Sequence, residues 1–129
     1  MITVGSLFTQ VLSLVNRHAF GRAVRQWDAE HGAKGFRCWD QFVAMVFSQL
    51  AGADSLREIC GGLSTAMGKL THLGLKEAPS RSTLSYANSH RPWRLYETVF
   101  YQLLDQAGAL AAQQKRRFRF KNPLFSIDS

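Results

Sequence analysis

The chain has 129 residues, 46% of them apolar and 12% aromatic, with sixteen lysines and arginines against nine carboxylates. A chain of this length and composition is expected to fold as one domain with a real core, and it is too apolar to be a disordered linker. The net charge of +7 and a pI near 10.0 point to polyanionic partners, nucleic acid first and an anionic membrane surface second. The start lacks a charged segment followed by an unbroken apolar run, and no apolar stretch nears the roughly 20 residues of a membrane span. A cytoplasmic location and no membrane partner are therefore expected.

In chain order, Ser6 is read as the N-cap of a first helix bearing Leu7, Phe8, Val11, Leu12 and Val15. Asn16 is expected to cap a second, with Phe20, Ala23, Val24 and Trp27 inward and Arg17, Arg22 and Arg25 solvated. Gly32 and Gly35 mark a loop through Lys34. Trp39, Phe42, Val43, Val46, Phe47 and Leu50 form a wide stripe on a third helix, predicted to be central and to end at Gly52. A shorter helix from Asp54 or Ser55 carries Leu56, Ile59, Cys60 and Leu63, with Gly61-Gly62 permitting close packing or a kink. Lys69 to Leu73 reads as one helical turn of its own, closed by Gly74. Cys38 and Cys60 fall in apolar helical patterns without metal-ligand or disulfide spacing, which predicts buried, reduced thiols.

The segment from Pro79 to Trp93 has a cap at Ser80, a stop at Pro92, and no carboxylate anywhere between Glu77 and Glu97. On a helical wheel Leu84 and Ala87 face inward, while Arg81, Ser82, Ser85, Tyr86 and Ser89 can reach a ligand. Asn88 and Arg91 lie nearer the packed side, where hydrogen bonding to neighbours is the expected role. Such a helix suits a DNA groove, or else merely joins two core helices. With Leu70–Leu73 it suggests a helix-turn-helix whose linker exceeds the usual three or four residues. Pro92 is placed at the first position of a long helix, on which Trp93, Tyr96, Phe100, Leu103, Ala107 and Leu110 form a narrow seam. Arg94 at its start adds a candidate phosphate contact.

From Lys115 to Lys121 charge alternates with aromatic, a strand period, and Leu124 to Ser129 reads as the beginning of another strand. A two-stranded piece is marginal alone, so the chain is expected to be cut short. Lys115, Arg116 and Arg117 are candidate DNA contacts in a solvated linker or arm. The four histidines show no metal-ligand spacing, and there is no phosphate loop or nucleophile elbow. The expected organisation is a helical domain over 1–114 and a basic linker with the start of a second domain over 115–129. The fold class is all-α with a helix-turn-helix-like element and a short extended C-terminal tail.

Several segments resemble the N-terminal part of bacterial insertion-sequence transposases of the DDE type, in the group called IS-four. They are Cys38-Trp39-Asp40-Gln41-Phe42 with Met45, Phe47, Gln49 and Leu50, then Ser55-Leu56-Arg57-Glu58-Ile59 with Leu63. Lys69-Leu70-Thr71-His72-Leu73-Gly74 and Ser80-Arg81-Ser82-Thr83-Leu84 with Ala87, Asn88 and Arg91 follow. The last is Arg119 to Ser129. The resemblance implies a helical domain that binds the terminal inverted repeats of the element as double-stranded DNA, ahead of an RNase-H-like catalytic domain. It implies that Asp128 is the first of three acidic residues binding Mg2+ in the full-length family. One carboxylate cannot hold two such ions, so this chain is expected to need no cofactor and to be inactive in cleavage alone. The alternative is an interaction module, in which the Trp93–Leu110 seam mediates homo-oligomer formation or docks the catalytic domain.

Overall fold

In the computed structural model, which describes residues 4–71 and 74–113, every regular element is helical. The helices are α1 (Val4–Ser13), α2 (Arg17–Gln26), α3 (Cys38–Ala51), α4 (Leu56–Leu70), α5 (Arg81–His90) and α6 (Trp93–Gln113). The chain is all-α among the described residues, as expected. The segment expected to form an extended tail, with Lys115, Arg116, Arg117 and Asp128, lies outside the described residues.

The helix boundaries follow local chemistry. Asn16 accepts a hydrogen bond from the Ala19 N–H at 3.0 Å and starts α2. Ser55 does the same for α4 through the Glu58 N–H, and Ser80 for α5 through the Thr83 N–H, each at 3.2 Å. The Asp40 carboxylate accepts from the Arg37 N–H at 2.9 Å and closes the first turn of α3. Gly52, at φ 65°, ends that helix in the left-handed region.

α3 is central: α1, α4 and α5 pack on it, while α6 packs on α2. Because α3 is covered from several sides, its buried residues include Cys38, Gln41, Ala44 and Ser48 besides Trp39 and Val43. Phe42, Val46, Phe47 and Leu50 are half-buried at the margin of the same core. Phe20 meets Trp39 edge-on with centroids 5.2 Å apart, and Phe8 meets Phe47 likewise at 5.8 Å.

Four expectations are corrected. Ser6 lies inside α1, which is already helical at Val4, so it is not that helix's cap. Residues 69 and 70 end α4 instead of forming a separate turn, because the helix runs unbroken through Gly61 and Gly62. Packing favours that continuity: a Cβ on Gly62 would meet the Phe47 ring at 2.8 Å, so only glycine lets α4 approach α3 there. Pro92 stands one residue ahead of α6. Finally, α6 does not bury the expected seam. Leu95 and Val99 are buried and Tyr96 and Leu103 half-buried, whereas Trp93, Phe100, Ala107 and Leu110 are exposed.

Among the described residues no helix is long and apolar enough to cross a membrane.

Candidate nucleic-acid interface

α5 is held from one side. Leu84 and Ala87 enter the core at 0% and 3% exposure. The polar side of that anchorage centres on Gln41 of α3, itself buried. Its Nε2 donates to Asn88 Oδ1 at 2.7 Å, and its Oε1 accepts from Arg91 at 3.3 Å and from the Tyr96 hydroxyl. Arg91 also donates to the Phe36 carbonyl, and Asn88 lies 3.8 Å from Met45 Sδ. Asn88 and Arg91 therefore serve the fold, as their wheel positions suggested. Burial pushes the Tyr96 phenol up and keeps it a neutral donor to Gln41.

The remaining side of α5 faces out. Arg81, Ser82, Ser85, Tyr86 and Ser89 are all exposed. Ser89 donates to the Ser85 carbonyl at 3.0 Å, one turn back, which leaves its lone pairs outward. Tyr86 stacks on His90, with ring centroids 3.8 Å apart and planes 16° from parallel. His90 Nδ1 lies 2.9 Å from the Tyr86 carbonyl oxygen, and the imidazole and phenol form an exposed two-ring stack. His90 was not among the residues expected to act.

A cleft of about 600 Å³ opens at the N-terminal end of α5, between the glycine loop and residues 74–80. Arg17, Lys34, Arg37 and Lys76 line it against two carboxylates, Asp40 and Glu77. None of the four cations forms an ion pair among the described residues, where His31 and Asp28 make the single one. Asp40 is already engaged by the Arg37 backbone. Arg17 stands over the Trp39 ring, its guanidinium carbon 3.8 Å from the centroid. A second depression, of about 370 Å³, continues along α5 between Lys34 and Phe36 on one side and Ser82 and Tyr86 on the other. Ser82 and Tyr86 of the outward α5 face thus share a surface with Lys34, while Arg81, Ser85 and Ser89 line neither of these two openings.

Arg94 is not aimed at this surface by any observed contact. Its guanidinium stands over Trp93 and Trp27, 5.1 and 5.6 Å from the ring centroids. Lys34, Arg37 and Lys76 were not singled out from sequence, because they come from two separate loops that only the packing of α5 on α3 brings together.

The family model described as a domain of unknown function, DUF4372, matches residues 3–76. The chain belongs to this family. The DUF4372 match spans α1 to α4 together with Lys34, Arg37 and Lys76, and it stops short of α5. No curated protein and no solved structure matches the chain significantly.

Among the described residues no three His, Cys, Asp or Glu side chains come together as metal ligands. Cys38 is fully buried, its Sγ 3.6 Å from the Ala29 carbonyl, and burial raises its thiol to about 11. Cys60 is half-buried, with a thiol raised for the same reason.

Proposed function

We propose that this chain is a DNA-binding module of an insertion-sequence transposase of the IS-four group, recognising double-stranded DNA at the ends of the element. The observation that carries the reading is the shared surface of α5 and the cleft. Ser82 and Tyr86, on the exposed face that also carries Arg81, Ser85 and Ser89, adjoin Lys34, and the cleft with Lys34, Arg37 and Lys76 opens at the start of the helix that enters a groove in helix-turn-helix proteins. Hydroxyls and a guanidinium on α5 suit base edges, while the loop cations suit phosphates. α4 and α5 pack together as the pair of helices, with a connection over 71–80 that is longer than the usual tight turn.

The order of the segments in the sequence, which resembles the N-terminal region of these transposases, supports the same reading and adds its context. Lys115, Arg116 and Arg117, outside the described residues, are further candidate phosphate contacts by their sequence alone. Asp128 is one of the three acidic residues that the complete family uses with Mg2+, and DNA binding requires none of them. The site of action is the bacterial cytoplasm, on the nucleoid.

The test is binding of the chain to duplex carrying the terminal repeats and to scrambled duplex, at two salt concentrations. Salt-sensitive binding with a preference for the repeats is expected. Arg81→Ala and Ser85→Ala are expected to weaken it while leaving the helical circular dichroism intact. If neither variant changes affinity, α5 is not the recognition helix.

A further inference from the structure

α6 has two different apolar faces, and among the described residues only one is packed against. The inner face buries Leu95 and Val99, and Gln102 Nε2 donates to the Ala19 carbonyl of α2 at 3.4 Å. On the outer face Trp93, Phe100 and Leu104 are 63%, 58% and 52% exposed, with Glu97, Ala107 and Ala111 exposed between and beyond them. Single exposed apolar side chains are ordinary on a protein surface, but a continuous stripe along a helix marks an interface. These six positions advance by four, three, four, three and four residues, the spacing of a coiled-coil seam.

That spacing reads the same in both directions about Gln102. An antiparallel copy of α6 therefore places position 93 opposite 111, 97 opposite 107, and 100 opposite 104. Each layer is then sterically reasonable: Trp93 fills the space left by Ala111, Phe100 packs on Leu104, and Glu97 faces the small Ala107. A parallel copy would instead set Trp93 on Trp93 and Glu97 on Glu97, and leave the layers of Ala107 and Ala111 underfilled. A two-fold axis through the middle of the seam makes the contact isologous and closed.

We propose that the outer face of α6 is the interface of an antiparallel homodimer of this chain. The inference is independent of the DNA-binding reading, since α5 and its cleft contribute nothing to the seam. Glu97 sets the register at some cost in stability, as a single polar residue in such a seam does.

Sedimentation of the full chain over a range of concentrations tests it. A reversible monomer–dimer equilibrium is expected, and Leu104→Glu is expected to raise the dimer dissociation constant at least roughly tenfold by placing an unpaired carboxylate in the seam. Leu104 is more than half exposed, so the variant is expected to keep the helical circular dichroism. The register is tested in a Cys60→Ser background under mild oxidation. Trp93→Cys with Ala111→Cys is expected to give a covalent dimer. The two positions lie ~27 Å apart along one helix, so the bridge must join two copies. Trp93→Cys alone is expected to give none. A chain that stays monomeric at every concentration, a dimer indifferent to Leu104→Glu, or equally efficient linking by Trp93→Cys alone would each overturn the proposal.

Discussion

Gln41 Nε2 donates to Asn88 Oδ1 across 2.7 Å, and this bond joins the central helix α3 to the exposed helix α5. Gln41 is only 3% exposed, and its other amide atom accepts from Arg91 and Tyr96, so a single side chain satisfies partners on α5, at its end and on α6. It therefore fixes the rotation of α5 and determines which α5 residues are free to meet a ligand. Gln41→Leu keeps the volume but strands the Tyr96 hydroxyl and part of Arg91. A loss of about 2–3 kcal/mol in unfolding free energy is expected, measured by urea denaturation. Asn88→Ala, at an exposed residue, is expected to cost about 1 kcal/mol.

The two adjacent glycines of α4 give a paired prediction. Nothing lies within 4 Å of a Cβ placed on Gly61, so Gly61→Ala is expected to stabilise the chain by up to about 1 kcal/mol through helix propensity. Gly62→Ala carries the same propensity gain but drives a methyl into the Phe47 ring, which is also edge-on to Phe8. No net gain, or a net loss, is expected from the second variant. Thermal midpoints of the two proteins measured side by side decide it.

The buried thiol supplies a pH dependence. The Cys38 thiol rises from 9.0 to about 11 in the folded chain, so the unfolded chain releases that proton first as pH increases. The stability contributed by the neutral thiol is complete below pH 9 and is lost as pH rises from about 9 to 11. Tyr96, also shifted upward, acts in the same direction above pH 10. Urea midpoints are expected to fall between pH 8 and pH 10.5, and to fall less in Cys38→Ala. At pH 8 a thiol reagent is expected to modify the half-buried Cys60 well before Cys38.

Much of this fold is legible in local sequence. The caps at Asn16, Ser55 and Ser80 and the inward pair Leu84 and Ala87 follow from side-chain chemistry within a few residues, and they stand where expected. The misplaced seam of α6 has a definite cause. Positions 95, 99 and 103 and positions 93, 100 and 104 are both apolar, so periodicity cannot choose between the faces without knowing where α2 lies. Gly61-Gly62 reads from sequence as permitting close packing or a kink, and only the position of Phe47 on α3 decides for close packing at Gly62. Gln41 is polar by composition and buried in fact, because its partners stand 47 to 55 residues away. The cleft is hidden likewise: Lys34, Arg37 and Lys76 are ordinary loop cations until α5 docks between their loops.

The most direct test of the DNA-binding account is the slope of log affinity against log salt for the chain on duplex DNA, compared with a Lys34→Ala/Arg37→Ala/Lys76→Ala variant. Each phosphate neutralised contributes roughly 0.9 to that slope, so the triple variant is expected to flatten it by roughly 2–3. Arg22→Ala/Arg25→Ala, at exposed positions of α2 outside the cleft, is expected to leave it nearly unchanged. Absence of binding by the unaltered chain at low salt would contradict DNA binding itself. Binding whose slope is the same with and without the three cations would contradict the place assigned to it.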